Sequence, residues 1–234
     1  MQGRESASRR LKGPAVSVAE NGDWSEGLLK AKVYEQILLD IILGDLRPLG
    51  VLDEKALAQR YAAGLAGVRD ALGRLALEGL VVRRPRVGTM VAPLDIREIE
   101  QAFEVRRMLE GRTAALAARN ADADDIRRIG SAFAGAEEAV AQGDFRALLA
   151  MDREFHRAVA FATANPMLGR YVVSLQNIAT RFWIYAMQKQ SEDDQLADVS
   201  LHRRLAQAIA DRNETAAEAA GLQLVGDPPS AYPR

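Results

Sequence analysis

The sequence of 234 residues contains no cysteine, only two histidines and no long run of apolar residues. Without cysteine, disulfide bonds and thiolate metal sites are both excluded. A transmembrane helix needs about 18 or more consecutive apolar residues, and no stretch meets that requirement. Residues 1–26 also lack the apolar core of a secretory signal, so we expect a cytoplasmic protein without a membrane partner.

The formal net charge is only −1 at pH 7, but the charged residues are unevenly distributed. Residues 1–90 contain 14 Lys and Arg against 11 Asp and Glu, whereas residues 91–234 contain 17 against 21. A basic front half and an acidic back half favour contact of the front half with nucleic acid, although many enzymes show a similar asymmetry.

Residues 57–89 have the pattern of a winged helix-turn-helix, a fold that places its second helix in the major groove of DNA. Apolar residues recur at helical spacing on either side of a glycine-containing turn: Leu57, Ala58 and Tyr61, then Val68, Ala71, Leu72, Leu75 and Leu80. Two short β segments follow, joined by a basic turn at 83–86. The alternative is a small helical domain with a solvated basic hairpin.

Arginine suits DNA contact because its guanidinium group donates forked hydrogen bonds to phosphate and base oxygens. Arg69 and Arg74 lie between the apolar positions of the second helix and can face outward. The predicted DNA-binding residues are these two and those of the wing, namely Arg69, Arg74, Arg83, Arg84, Arg86 and Thr89.

Residues 34–91 resemble the DNA-binding domain of the GntR family of bacterial transcription regulators. The resemblance rests on Gly44 to Gly50, Leu52, Asp53, Glu54, Leu57, Ala58, Val68 to Leu72, Leu75, Glu78 to Val81 and Gly88. Family members carry a small polar residue and then Arg, Thr and Pro before the Val-Arg pair. This sequence has Gly64, Leu65, Ala66 and Gly67 there. Leu65 cannot make the DNA contact of the family arginine, so a degenerate regulator with weak or lost DNA binding is an alternative.

The sequence after the wing predicts helices only. We therefore expect a mostly α protein, with a winged helix-turn-helix and its small β wing followed by an all-α six-helix bundle. The predicted division is a disordered arm at 1–27, the DNA-binding domain at 28–93, the helical domain at 94–225 and a tail at 226–234. Capping residues mark the helix starts in the helical domain, and its second helix is expected from Asp122 to about Gly143.

The helical domain resembles the ligand-sensing FCD domain of the FadR-type branch of the GntR family. The matching residues are Glu104, Arg106, Glu110, Asp152 to His156, Asn165, Pro166, His202, Ala208 and Ile209. The resemblance implies a ligand-responsive transcription regulator, most often a repressor in such families. Two DNA-binding domains reading two half-sites imply a homodimer on a near-palindromic operator.

Asp152 and His156 are four residues apart on one predicted helix, so their side chains share a face. With His202 from a later helix, they could bind zinc, nickel, manganese or iron, or they could be hydrogen-bonded core residues. The resemblance favours metal, because these three residues match ligand positions of metal-binding members. Those members have a further histidine near the end of the last helix, where this sequence has Leu224.

Arg106 is the predicted anchor of a small organic acid, since its guanidinium group matches a carboxylate. Asn177 and Arg181 are further candidates for effector binding, and a solvated helix face is the alternative for both. A metal-dependent hydrolase at Asp152, His156 and His202 is a different class of function. A hydrolase of this kind needs a general base, and the sequence shows no evident candidate for one. We therefore expect a regulator and not an enzyme.

Overall fold

The computed structural model describes residues 22–187 and 189–226. Its elements are α1 (Gly22–Ile42), α2 (Glu54–Arg60), α3 (Leu65–Leu77), β1 (Val81–Arg84), β2 (Gly88–Val91), α4 (Ile96–Asn120), α5 (Ala123–Ser131), α6 (Ala136–Gln142), α7 (Phe145–Ala162), α8 (Pro166–Met187), α9 (Glu192–Ala210) and α10 (Glu214–Val225). The predicted fold class is confirmed, because a winged helix-turn-helix precedes a domain made of helices. No helix within these two ranges is both long and apolar enough to cross a membrane.

The observed elements differ from the predicted ones at two places. α1 begins at Gly22, so the end of the predicted disordered arm is helical, while residues 1–21 and 227–234 lie outside the described residues. The helix predicted at 122–143 is divided into α5 and α6, so the described part of the helical domain has seven helices, not six. The division occurs at Gly135, whose φ of 84° lies in the left-handed region that an α-helix does not include.

A buried contact between α1 and α3 forms the core of the winged helix-turn-helix domain. Its members recur at helical spacing on both helices, and they are Val33, Ile37, Leu38, Val68, Leu72 and Leu75. The wing adds to this core through β1 and β2, which pair antiparallel with Val81 opposite Val91. The carboxylate of Asp53 starts α2 by accepting hydrogen bonds from the backbone N–H groups of Lys55 and Ala56 at 2.7 and 3.0 Å.

Glycine allows α10 to lie close against α4. A β-carbon at Gly221 would lie 2.8 Å from the β-carbon of Ala114, and one at Gly111 would lie 2.8 Å from Cγ of Leu222. Both distances are too short for a carbon–carbon contact, so the backbones approach this closely only because the two side chains are absent. The close approach brings Leu224 near the end of α10 to the wall of an interior cavity.

Candidate functional site

The two histidines and one aspartate predicted as metal ligands lie together inside the helical domain. Asp152 and His156 come from successive turns of α7, and His202 comes from α9. The Nε2 atoms of His156 and His202 lie 3.5 and 3.3 Å from Oδ1 of Asp152. All three residues are buried, and their potential ligand atoms lie within 4.8 Å of one another. Such a separation allows one ion to reach all three atoms at distances near 2 Å.

Hydrogen bonds from neighbouring residues orient His202 and Asp152 in this cluster. Nδ1 of His202 lies 2.8 Å from the backbone oxygen of Asp198 and donates to it, so Nε2 is the ring nitrogen that faces the cluster. This Nε2 atom is buried and has no hydrogen-bond partner among the described residues. On the other side, Nε2 of Gln176 donates to Oδ2 of Asp152 at 3.1 Å and holds the carboxylate in place. Bonds of this kind are typical of the surroundings of a metal site.

The electrostatics of the cluster favour a positive charge at its centre. Burial by itself would raise the pKa of Asp152, but the two neighbouring imidazoles outweigh it and lower that pKa well below its usual value. Burial likewise opposes protonation of His202, yet Asp152 and Asp198 outweigh it and raise the pKa of the imidazole. A bare imidazole nitrogen 3.3 Å from a carboxylate oxygen needs a cation or proton between them. The residues therefore fit a divalent metal.

The cluster opens into a small cavity of about 50 Å³. Its lining includes the three candidate ligands together with Phe103, Arg106, Gln176, Ala179, Thr180, Asp198, Leu224 and Val225. Because one water needs about 10–15 Å³ on this measure, the cavity has room for a few waters or a very small acid. Leu224 contributes an apolar wall to this cavity.

Arg106 lines this cavity, although its guanidinium group is not free to serve an effector alone. Its Nε atom donates to Oε1 of Glu110 at 3.0 Å, and both residues are buried. Nη1 and Nη2 are therefore the donors that remain for a carboxylate.

Asn177 and Arg181 were predicted at the effector site, and the structure places them at the junction of the two domains instead. Nδ2 of Asn177 donates to Oε2 of Glu78 at 2.8 Å and to the hydroxyl of Tyr34 at 3.3 Å. Nη2 of Arg181 donates to the backbone oxygen of Ala92 at 2.7 Å, just beyond β2. Neither residue lines the 50 Å³ cavity. Both residues lie on α8, which runs past the Asp152–His156–His202 cluster and past the winged helix-turn-helix domain. Periodicity alone does not show which of these two a residue of α8 faces.

Two pairs of adjacent residues connect the metal cluster to this junction. Asp152 of the cluster is followed on α7 by Arg153, whose guanidinium group donates to Oδ1 of Asn177 and to Oε2 of Glu35. Gln176, which holds Asp152, is followed on α8 by Asn177, which binds Glu78 just after α3. Asn177 and its neighbour Gln176 therefore connect Glu78, at the end of α3, to the candidate metal ligand Asp152.

Sequence reasoning missed the polar residues that support these contacts. Asp198 is four residues before His202 on the same helix, so the spacing that identified Asp152 with His156 could also have identified it. Tyr34 and Glu78 carried no comparable signal, because they meet only when α1 packs on α3. The hydroxyl of Tyr34 donates to the Glu78 carboxylate at 2.7 Å, and burial together with Glu78 raises the pKa of Tyr34.

The predicted DNA-binding residues do not share one face. Arg69 is exposed near the start of α3, with Nε 2.7 Å from Oε2 of Glu54. Arg74 is five residues further along, about 140° around the helix. Its guanidinium carbon lies 4.0 Å from the ring centroid of Tyr34 on α1, so it faces away from Arg69 and toward the domain junction.

The wing presents its basic residues to solvent. Arg83, Arg84 and Arg86 are exposed, and Thr89 lies opposite Arg83 in the strand register. Arg86 adopts a φ of 64°, which costs a non-glycine residue roughly 1 kcal/mol or more. At the start of α3, Gly64 offers no side-chain cap and Leu65 is exposed.

Two protein-family descriptions match this chain. "Bacterial regulatory proteins, gntR family" matches residues 29–91, and "FCD domain" matches residues 95–226, which is more than half of the chain. The chain belongs to the GntR family of bacterial regulators, in the branch with an FCD domain. It is therefore a DNA-binding transcription regulator with a ligand-sensing domain.

Curated relatives of this FCD-domain regulator are transcription regulators and not hydrolases. It is 34% identical over 143 residues to the "probable D-xylose utilization operon transcriptional repressor" of Paenarthrobacter nicotinovorans, covering 60% of this chain and 62% of that protein. It is 28% identical over 202 residues to LutR of Bacillus subtilis, and the match covers 76% of this chain and 90% of LutR. The structure of McbR from Escherichia coli aligns with a TM-score of 0.72 at 19% identity, covering 84% and 93%, and shows the same fold.

Proposed function

We propose that this regulator represses transcription by binding an operator as a homodimer. In this proposal a divalent metal and a small carboxylate in the sensing domain change its DNA affinity. The observation that carries the proposal is the buried Asp152–His156–His202 cluster, in which Nε2 of His202 has no hydrogen-bond partner among the described residues. Asp152 is followed by Arg153, which bonds to Asn177, and Asn177 bonds to Glu78 just after α3. Because operator DNA of a bacterium lies in the cytoplasm, the proposal also assigns the protein to that compartment.

The proposed DNA surface consists of the start of α3 and the wing. Its residues are Arg69, Arg83, Arg84, Arg86 and Thr89. Arg74 is left out, because its guanidinium group stacks on Tyr34 at the domain junction. To bind a DNA phosphate or base, Arg69 must give up its ion pair with Glu54. This exchange costs little free energy, because the pair is exposed to solvent. The wing arginines have no such competitor among the described residues.

The proposed metal is zinc, nickel or manganese, held by one carboxylate and two imidazoles. A metal with three protein ligands keeps open positions, and when bound it would supply an electrophilic anchor for a carboxylate. The 50 Å³ cavity restricts such an effector to a very small acid. Arg106 lines the same cavity, and in this proposal it binds the second oxygen of that acid.

Communication with the DNA is proposed to run through α7 and α8. A ligand that pulls on Asp152 displaces Gln176, whose neighbour Asn177 holds Glu78. Because Arg153 bonds to Asn177 as well, a shift of either helix changes the same contact with the end of α3. The two DNA-binding helices of a dimer would thereby change their spacing, and operator affinity with it.

The first experiment selects operator sequences from a random DNA library with the full chain. A near-palindromic product and a dimer in analytical ultracentrifugation are expected. Operator affinity is then measured by fluorescence anisotropy in chelator, with zinc alone, and with zinc and acetate. We expect about one zinc per chain in the wild type, none in His202→Ala, and zinc-dependent affinity only in the wild type. Zinc binding without any change in affinity in either zinc condition would contradict the regulatory role of the site.

A second candidate function, a sensor that has lost DNA binding, is favoured by one observation. Gly64 leaves the start of α3 without a side-chain cap, and Leu65 is exposed where relatives carry an arginine. The selection experiment separates the two candidates, because a sensor without DNA binding would enrich no sequence. The His202→Ala zinc measurement would still detect its ligand site.

A further inference from the structure

A second and much larger cavity lies between the two domains. Its volume is about 490 Å³, compared with about 50 Å³ for the cavity at the metal cluster. α1 and the end of α3 form one wall, and α7 and α8 form the other. A volume of this size is typical of sites for small organic ligands, whereas the cavity at Asp152, His156 and His202 has room only for a very small acid.

The walls of this junction cavity carry more positive than negative charge. Its lining contains four arginines and two glutamates, namely Arg74, Arg153, Arg157, Arg170, Glu35 and Glu78. Glu35 neutralises Arg153 at 2.9 Å and approaches Arg157 at 3.6 Å. In the described chain, neither Arg74 nor Arg170 has a carboxylate oxygen within 4.0 Å. Two guanidinium groups in the lining therefore lack an acidic partner.

Apolar rings lie beside these cations. Phe161 and Tyr171 line the cavity and are 48% and 61% exposed, which is high for large aromatic side chains. Val173 adds a branched apolar group to the same wall. A cavity with unpaired arginines at some positions and exposed rings at others matches a ligand with an anionic head and an apolar body.

We propose that the junction cavity is a second ligand site for an amphipathic organic carboxylate. The carboxylate faces Arg74 and Arg170, and an aromatic or aliphatic body packs on Phe161 and Tyr171. This site is independent of the metal and does not require the small acid proposed for the inner cavity. It involves the DNA-binding domain directly, because Arg74 and Tyr34 belong to α3 and α1.

Gln176 connects the junction cavity to the cavity at Asp152, His156 and His202. It lines both cavities, and its Nε2 atom holds Oδ2 of Asp152. A ligand that fills the junction cavity therefore contacts the residue that orients a candidate metal ligand. It also touches Glu78, the junction partner of Asn177.

The test uses isothermal titration calorimetry of the full chain with 4-phenylbutyrate, and with 4-phenylbutan-1-ol as a neutral probe of nearly the same shape. We expect one site per chain for the acid and at least tenfold weaker binding of the alcohol. Arg170→Gln should weaken binding of the acid about tenfold, the value of one charge-assisted hydrogen bond, and leave the alcohol unchanged. Arg97→Gln is the matched control, because Arg97 is exposed on α4 and lines neither cavity.

Ser174→Trp provides an independent check, because it fills the cavity without removing a charge. Both probes should lose binding in this variant, while its circular dichroism spectrum remains that of the wild type. Equal binding of acid and alcohol would overturn the proposal, as would equal effects of Arg170→Gln and Arg97→Gln or no binding of the acid in the millimolar range. Binding of the acid by a chain that selects no operator would leave this site standing and refute the DNA-binding function alone.

Discussion

Replacing Asn177 by alanine should weaken the junction between the two domains by several kcal/mol. The side chain is 1% exposed and takes part in three hydrogen bonds, two of which cross the junction while one joins α7 to α8. Two of them involve charged partners, Glu78 at 2.8 Å and the guanidinium group of Arg153. The third links Nδ2 to the hydroxyl of Tyr34 at 3.3 Å.

The magnitude follows from the two charged partners. A hydrogen bond to a charged group contributes about 1.5–3 kcal/mol, so the two together contribute about 3–6 kcal/mol. Water can enter from the adjacent 490 Å³ cavity and solvate Glu78 and Arg153 in the variant, which reduces the expected loss to about 2–4 kcal/mol. For a chain of this length, that loss corresponds to a fall in Tm of roughly 4–16 °C.

The assay is differential scanning calorimetry, with Asn120→Ala as the matched control. Nδ2 of Asn120 donates one hydrogen bond to the neutral backbone oxygen of Thr163 at 2.8 Å, inside the sensing domain. Its loss should cost about 1 kcal/mol. Asn177→Asp keeps the acceptor for Arg153 but faces Glu78 with a second carboxylate, so it isolates the Glu78 contact and should also lower the stability. If Asn177→Ala loses no more stability than Asn120→Ala, the junction contacts do not contribute as argued.

Three further outcomes are expected from single substitutions. Leu65→Arg should tighten operator binding by about 1–3 kcal/mol in fluorescence anisotropy, and no change would exclude this position from the DNA surface. Leu224→His adds an imidazole to the wall of the metal cavity, so zinc affinity should rise on the order of 100-fold by competition titration; an unchanged affinity would exclude coordination from this position. Arg86→Gly relieves the φ of 64° and should raise the free energy of unfolding by roughly 1 kcal/mol. The same variant should weaken DNA binding and reduce its salt slope by about 1, and an unchanged slope would show that Arg86 makes no phosphate contact.

Features that depend on neighbouring residues could be read from the sequence alone. Asp53 starts α2 through its own carboxylate, and the apolar spacing of α3 sets which of its faces meets α1. The winged helix-turn-helix followed by helices was predicted in this way and is confirmed. Asp152 and His156 share a helix face by their spacing, because an α-helix brings residues four apart together. Local geometry of this kind needs no knowledge of what packs against it.

Features that depend on packing between distant elements needed the tertiary structure. Nothing in the spacing of α8 distinguishes a face turned to the inner cavity from one turned to the DNA-binding domain, so only the fold shows that Asn177 and Arg181 contact the DNA-binding domain. The spacing of α3 likewise does not indicate that Arg74, which is exposed, stacks on the ring of Tyr34 of α1. The meeting of His202 with Asp152 and His156 depends on how α9 packs on the bundle. Side-chain periodicity determines the buried face of a helix, but only the fold decides which partner covers that face.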